Sequence, residues 1–202
     1  MASAHDSYAK EYDDQIKLQA CYIAEVLFGL SYEYIKKGDS ILDVGIGTGI
    51  SSKLFFSAGL QVSGIDGSAE MINICKKKGI TEELIEHDLL ATPWPYRVER
   101  FDHVVCCGVF HFIGDLEKIF EEISRVHKMG GILAFTVMND KVDQQNQGKY
   151  EQRMEGDFTV FCHKANYINN LIQINHYRTE KDIICQVGEN QFRGIVAHKV
   201  NG

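Results

Sequence analysis

Short apolar runs alternate along the chain with longer stretches in which apolar residues recur every three or four positions. The apolar runs predict strands, because strands of a buried sheet are short and rich in aliphatic residues. Between them, Asp115 to His127 is the clearest helix, with apolar residues on one face and charged residues on the other. The predicted strands lie near 40–45, 61–66, 83–87, 102–107 and 131–138. Strands that alternate with helices predict an α/β fold with a parallel, doubly wound sheet.

The two ends of the chain and one internal segment depart from this alternation. Asp14 to Tyr34 has helical spacing and predicts one or two helices ahead of the sheet. Lys181 to Gly188 and Gln191 to Lys199 predict two strands joined by a tight turn, which is a hairpin. Asn139 to Gly156 is rich in polar residues without an apolar period, so we expect a mobile excursion at the ligand end of the sheet.

The first strand opens into a glycine turn with the sequence Asp43-Val44-Gly45-Ile46-Gly47-Thr48-Gly49. Glycine adopts positive φ without steric cost and allows a ligand to approach the backbone closely. The spacing G-x-G-x-G differs from the G-x-G-x-x-G of dinucleotide-binding loops. The turn therefore predicts a ligand site and counts against a nicotinamide-dependent oxidoreductase.

Two further strands end in an acidic residue. Asp66 closes the second strand, where a carboxylate can accept hydrogen bonds from both hydroxyls of a ribose. Asp88 follows the third strand, where a carboxylate can accept from the amine of adenine. Asp66 could instead cap the following helix, although Ser68 is the better cap, and Asp88 could be a solvated turn residue.

These segments, with Phe101 to Phe112 and Met129 to Phe135, resemble the class I S-adenosylmethionine-dependent methyltransferases from about Ser40 through Met138. The resemblance implies a Rossmann-like, seven-stranded, mostly parallel sheet of order 3-2-1-4-5-7-6. It also implies S-adenosyl-L-methionine as cofactor and S-adenosyl-L-homocysteine as product. We expect one domain over residues 1–202, with 1–38 as an N-terminal helical lid and 139–165 as a variable substrate-side excursion.

The resemblance assigns cofactor-binding roles to residues that match the family motifs. Gly45 and Gly47 would lie under the methionine and ribose, Asp66 would hold the ribose, and the backbone at Cys107 would meet the methionine amine. The full set of predicted cofactor residues is Asp43, Gly45, Ile46, Gly47, Asp66, Gly67, Met71, Asp88, Leu89 and Cys107. Gly67 and Met71 would flank the adenine, which Asp88 and the Leu89 amide would recognise.

Candidate residues for the acceptor side follow from position and chemistry. His111 comes after the fourth strand and is the candidate general base, which only a hydroxyl, an acidic carbon or a protonated amine would need. Tyr8 and Tyr12 could bound the methyl-transfer site from the lid, and His163 could contact the substrate from the excursion. Each of these four residues could instead be a core residue that packs without contacting a ligand.

Composition limits the binding partners and the cellular location that we expect for the protein. The formal charge is −7 and no convincing basic stripe appears, so nucleic acid is not expected as a partner. No apolar run approaches a membrane span of ~20 residues and the N-terminus does not resemble a signal peptide, which predicts a cytoplasmic protein without a membrane contact. The six cysteines show no C-x-x-C pair, so we expect free thiols and no metal site.

The acceptor is the least determined part of the prediction. The segment after the fourth strand lacks the Asn/Asp-Pro-Pro-Tyr sequence that amino-methylating enzymes carry, and it resembles that of small-molecule methyltransferases. We therefore expect a small-molecule methyl acceptor. A methyltransferase acting on tRNA or protein, and an inactive cofactor-binding partner subunit, remain alternatives, and the sequence leaves the oligomeric state open.

Overall fold

The computed structural model describes residues 13–14, 21–139, 148–156 and 158–201. Its helices are α1 Ile23–Ser31, α2 Ile50–Ser57, α3 Ala69–Lys77, α4 Glu117–Val126 and α5 Ala165–Ile174, with 3₁₀ turns at Tyr32–Tyr34 and Phe110–Phe112. Its strands are β1 Ser40–Val44, β2 Gln61–Asp66, β3 Glu83–Glu86, β4 His103–Cys106, β5 Ile132–Met138, β6 Tyr150–Glu155, β7 Phe158–His163, β8 Tyr177–Val187 and β9 Asn190–Lys199. No helix within the described ranges is long and apolar enough to cross a membrane.

The first five strands form a parallel sheet in the order β3-β2-β1-β4-β5. Strand β9 runs antiparallel to β5 along its whole length, from Ile132↔His198 to Met138↔Phe192, and β8 pairs antiparallel with β9. These seven strands follow the predicted order, with the C-terminal hairpin as its last two members. The predicted α/β class and sheet order are therefore confirmed.

The described residues add two strands that the sequence did not predict. Within Asn139 to Gly156, expected to be a mobile excursion, residues 150–155 form β6, which pairs antiparallel with β7. Strand β7 joins the main sheet through one pair, Met138↔Cys162. Strand β6 is polar and mostly exposed, so no apolar alternation marked it, and its position comes from pairing with β7. The sheet consequently has nine strands rather than seven.

Alternate residues of each central strand supply the cores on the two faces of the sheet. On β5, Leu133 and Phe135 belong to one buried cluster while Ile132 and Ala134 belong to another. Side chains of a strand point alternately to opposite faces, so this division means that helices cover both sides. Helices α4 and α5 contribute to the first cluster, and α1, α2 and α3 to the second. The doubly wound arrangement predicted from the alternation is present.

A buried junction fixes the start of β5. His127 is fully buried, and its ring nitrogens lie 2.9 Å from the Tyr177 hydroxyl and 3.2 Å from the Asp102 carbonyl oxygen. Gly131 passes so close that a Cβ there would stand 1.8 Å from the Asp102 oxygen and 2.5 Å from His127 Nε2. A side chain at position 131 would displace backbone rather than a flexible group.

We predict that Gly131→Ala destabilises the fold by about 2 kcal/mol or more, because the added methyl must displace the backbone of Asp102, just ahead of β4. Chemical denaturation measures the change. Gly29→Ala is the matched control, since Gly29 lies in α1 with no atom within 4 Å of its would-be Cβ. Alanine favours helix, so this control should be neutral or slightly stabilising. Equal stability of the two variants would contradict the packing argument.

Candidate active site

One cavity of about 890 Å³ opens beside the carboxyl ends of the parallel strands. Open α/β sheets bind ligands at this edge, near the point where the strand order reverses. Residues after β1, β2, β3 and β4 line it together with residues of α1, β5, β7 and the β8–β9 turn. The predicted residues that line it are Gly45, Ile46, Gly47, Asp66, Gly67, Met71, Asp88, Leu89, Cys107 and His111.

The three glycines after β1 share a left-handed backbone but differ in what surrounds them. Their φ angles are 71° at Gly45, 53° at Gly47 and 84° at Gly49. A Cβ on Gly45 would lie 2.5 Å from Val109, and one on Gly49 would lie 2.8 Å from the Cys75 sulfur. Gly47 has no atom within 4 Å of that position. Gly45 and Gly49 thus permit close packing, whereas Gly47 leaves room on the cavity side.

Asp66 connects the glycine turn to the end of β2. Its Oδ2 accepts the Gly47 N–H at 2.8 Å, and its Oδ1 accepts the Ser68 N–H at 2.8 Å. The side chain is partly buried and lines the cavity. Ser68, not Asp66, caps α3, because the Ser68 hydroxyl accepts the Met71 N–H at 3.2 Å. The alternative in which Asp66 serves as the helix cap is therefore wrong.

Asp43 lies beneath the turn rather than on the cavity wall. It is fully buried, and its Oδ2 accepts hydrogen bonds from the Ser51 and Ser52 hydroxyls, each at 2.7 Å. Burial, opposed by these two bonds, raises the pKa of Asp43 to about 6. The motif predicted that Asp43 contacts the cofactor. In the structure, Asp43 instead forms hydrogen bonds with the first turn of α2.

The predicted adenine side lies between α3 and the segment after β3. Met71 and Leu89 are buried and line the cavity, while Asp88 is exposed and its Oδ1 accepts the Leu90 N–H at 3.0 Å. The Leu89 carbonyl accepts the Trp94 indole N–H at 3.1 Å. Trp94 is buried in the core behind this segment and supports it from outside the cavity.

The end of β4 brings Cys107, Gly108 and His111 to the cavity. The Gly108 N–H donates to the Thr136 hydroxyl at 2.8 Å, and Gly108 has φ of 73° with open space around it. His111 is half-buried, with its ring centre 4.0 Å from that of Phe112 and 5.3 Å, edge-on, from that of Phe192. Two aromatic contacts therefore fix the orientation of the imidazole.

Two thiols line the cavity, those of Cys21 and Cys107. Burial raises the pKa of both, so each is a protonated thiol at neutral pH. All six cysteines of the chain are free thiols. Among the residues that the structure describes, no three His, Cys, Asp or Glu side chains are grouped to hold a metal ion.

Sequence analysis did not predict the apolar part of the cavity lining, which we call the apolar wall. Its side chains come from elements that are far apart along the chain: Ile23, Ala24, Phe112, Ile113, Met138, Phe158, Val160, Val187 and Phe192. Each looked like an ordinary core residue in the sequence. Only the folded sheet brings them together.

His163 does not reach the cavity that it was predicted to serve. It is buried, its Nε2 lies 3.0 Å from the Gly114 carbonyl oxygen, and its ring stacks on that of Tyr167. It is absent from the lining, so its predicted substrate contact is wrong. Tyr8 and Tyr12 lie outside the described residues.

A contact from the N-terminal segment was also not predicted. The Asp13 carboxylate accepts a hydrogen bond from the Thr48 hydroxyl and forms an ion pair with Lys78. Thr48 belongs to the glycine turn and lines the cavity. Asp13 therefore fastens the chain ahead of α1 to the turn and to the end of α3.

A glycine turn, a strand-end carboxylate and a cavity at the switch point of a doubly wound sheet together define a nucleoside-binding enzyme fold. A protein-family model described as a methyltransferase domain matches residues 42–135. The chain is 31% identical to an uncharacterised protein of Methanocaldococcus jannaschii, over 95% of this chain and 82% of that protein. The chain belongs to the class I S-adenosylmethionine-dependent methyltransferases.

Two further comparisons give a partial relative and a shared fold. It is 28% identical to the ubiquinone biosynthesis O-methyltransferase of Actinobacillus pleuropneumoniae, over 50% of this chain and 47% of that protein, so it spans about half that relative's length. A chain of the solved Haloferax volcanii complex between the Trm112 methyltransferase activator and a methyltransferase has the same fold. The TM-score is 0.80 at 15% identity, with 100% of this chain and 98% of that chain covered.

The residues present fit S-adenosylmethionine, the cofactor of this family. Gly47 leaves space where a Cβ would stand, and the Asp66 carboxylate lies on the cavity wall beside it. Each carboxylate oxygen has more than one acceptor site, so the bonds from Gly47 and Ser68 do not prevent Asp66 from accepting ribose hydroxyls. The backbone and carboxyl groups that this cofactor needs are thus in place.

We predict that Asp66→Ala weakens S-adenosylhomocysteine binding about tenfold or more, because hydrogen bonds to a charged group contribute about 1.5–3 kcal/mol each. Titration calorimetry measures the affinity, and thermal unfolding checks that the variant is folded. The 2′-deoxy analogue of the ligand separates a ribose contact from a loss of the Gly47 tether. If Asp66 binds the ribose, removing the 2′-hydroxyl weakens binding to the native protein and changes little in the variant. An equal loss in both proteins would assign Asp66 to the turn alone.

Proposed function

We propose that this chain transfers the methyl group of S-adenosylmethionine to a small-molecule acceptor bound in the same cavity. The observation that carries the proposal is the continuity of that cavity, which joins the glycine turn and Asp66 at one end to an apolar wall beside His111 at the other. Small-molecule sites are concave, mostly apolar and largely preformed, with a few polar groups that fix orientation. The likeness to a ubiquinone biosynthesis O-methyltransferase supports the same class of acceptor.

Different residues of the cavity would bind different parts of the cofactor. In our proposal Asp66 holds the ribose, Asp88 and the Leu89 amide recognise the adenine, and backbone at Cys107 meets the methionine amine. When bound, the cofactor supplies an electrophilic methyl group on a sulfonium. The chain must hold the acceptor atom ~3–3.5 Å from that carbon and in line with the bond that breaks. A dry, shaped pocket serves this purpose better than strong charge stabilisation, because the reaction removes the sulfonium charge.

In our proposal, His111 receives a proton from the acceptor. It is half-buried on the cavity wall, at the end of β4, and its ring orientation is fixed by Phe112 and Phe192. An acceptor hydroxyl forms its bond to the methyl carbon as the carbon–sulfur bond breaks, and its proton passes to the imidazole. His111 then returns the proton to solvent, which restores the neutral base.

A calorimetric titration with S-adenosylmethionine, S-adenosylhomocysteine and NAD tests the cofactor part of the proposal. We expect micromolar binding of the two sulfur nucleosides, in the range usual for enzyme ligands, and no binding of NAD. A screen of small hydroxylated and amine compounds for S-adenosylhomocysteine release then identifies an acceptor. Binding without turnover on any small molecule, followed by turnover on tRNA or protein, would contradict the acceptor class.

For His111→Gln we predict a loss of turnover of about 10²–10⁴-fold with the acceptor found in that screen, because general-base catalysis contributes this much. Affinity for S-adenosylhomocysteine should be unchanged. His176→Gln is the control, since His176 is exposed at the end of α5 and away from the cavity. Normal turnover in the His111 variant would reduce this residue to a packing role.

A further inference from the structure

We propose that the buried side chain of Trp94 gives the cofactor site its preference for adenine over a purine that lacks the exocyclic amine. Trp94 does so as a positioning residue, because it holds the Asp88 carboxylate through the peptide unit between Leu89 and Leu90. The inference rests on the proposed function, in which Asp88 and the Leu89 amide recognise the adenine.

The peptide unit between Leu89 and Leu90 is bonded on both sides. Its carbonyl, from Leu89, accepts the Trp94 indole N–H at 3.1 Å. Its N–H, from Leu90, donates to Asp88 Oδ1 at 3.0 Å. A trans peptide unit is planar, and its C=O and N–H point in opposite directions. An indole that fixes the carbonyl from the core side therefore also fixes the N–H that the carboxylate accepts.

The direction of the Asp88 side chain depends on this bond. Asp88 is exposed at the edge of the cavity, so little packing holds its carboxylate. Its bond to the N–H of Leu90 is the local turn that aspartate side chains favour, two residues along the backbone. Each carboxylate oxygen has more than one acceptor site, so the bonded carboxylate can still accept from the adenine amine.

Trp94 is itself held on both sides by helix α4. It is 2% exposed, its backbone N–H donates to Glu122 Oε2 at 2.7 Å, and its carbonyl accepts from Arg125 Nη2 at 3.0 Å. Arg125 also pairs with Glu122 through two bonds, from Nε to Oε1 at 2.9 Å and from Nη2 to Oε2 at 2.6 Å. The backbone that carries the indole is therefore fixed relative to the helix.

The charges of this pair strengthen the attachment. Burial acts to raise the pKa of Glu122, but the bonds from Arg125 and from the Trp94 N–H outweigh it and lower the pKa. Glu122 is therefore ionised at neutral pH. Hydrogen bonds to ionised groups are shorter and stronger than neutral ones. The indole N–H is thus a rigid donor, and it reaches a residue that lines the cavity.

A fixed carboxylate discriminates between purines by the sign of the group that faces it. Adenine presents a donor amine, whereas hypoxanthine presents an acceptor carbonyl at the same position. A site built to bond a donor rejects the analogue that lacks it far more steeply than a site that differs only in shape. A carboxylate that could rotate away would lose part of this discrimination.

A pair of matched ligands and an isosteric replacement test the inference. We expect calorimetry to show that the native protein binds S-adenosylhomocysteine about tenfold or more tightly than S-inosylhomocysteine. Trp94 is the only tryptophan of the chain, so biosynthetic incorporation of 3-benzothienylalanine changes this residue alone. The analogue keeps nearly the same ring size and has sulfur in place of the N–H. The affinity ratio should fall about threefold or more, because one hydrogen bond is lost.

Two variants show the route of the effect. Asp88→Ala should bring the two affinities close together, and adding the Trp94 analogue to this variant should change the ratio no further. Tyr96→Phe is the matched control, since the buried Tyr96 hydroxyl of the same segment donates to the Gly64 carbonyl at 3.2 Å. It removes a buried donor and should leave the ratio unchanged. Thermal unfolding shows that each protein is folded.

The outcomes separate this inference from the proposed function. Equal binding of the two ligands by the native protein would overturn the adenine role of Asp88, and this inference with it. A native preference that the Trp94 analogue leaves unchanged would overturn the role of Trp94 alone. A further fall of the ratio on adding the analogue to Asp88→Ala would overturn the route through the carboxylate.

Discussion

The turn after β1 is bonded to the end of β2, and the geometry of the site depends on this attachment. The N–H groups of Gly45 and Ile46 both donate to the Ile65 carbonyl, at 2.8 and 3.2 Å, and the next bond runs from Gly47 to Asp66. The Ile46 side chain fills the space above Gly64, where a Cβ would stand 2.4 Å from it. In phosphate-binding loops the corresponding amides point at the ligand. Here the N–H groups of Gly45, Ile46 and Gly47 are already bonded to the end of β2.

Different parts of the sheet build the two ends of the cavity. The parallel strands supply polar groups at their carboxyl ends, in positions fixed by strand register and by the glycine turn. The antiparallel hairpins β6–β7 and β8–β9 supply phenylalanine and aliphatic side chains, together with the Glu155, Arg153 and Asn190 network. In the function that we propose, the regular core binds the nucleoside, and later segments of the chain shape the acceptor site.

Sequence patterns predicted the regular part of the molecule well. The strands from β1 to β5, the hairpin of β8 and β9 and the helix α4 were found because their apolar residues recur with a period that only one secondary structure buries. Strand β6 was missed because Tyr150–Glu155 is polar and owes its place to pairing, which no local pattern records. His163 was misplaced because a histidine after an apolar run looks the same whether it faces a cavity or a carbonyl group.

The hairpin β6–β7 meets the main sheet at one pair, Met138↔Cys162, and its far end is joined to the β8–β9 turn by side chains. Few of the bonds that hold the parallel strands together involve it. Substitutions of the exposed residues of β6 therefore leave the pairing of the parallel strands intact. In the function that we propose, the parallel strands hold the methyl donor and this hairpin borders the acceptor, so the two binding properties reside in different parts of the chain.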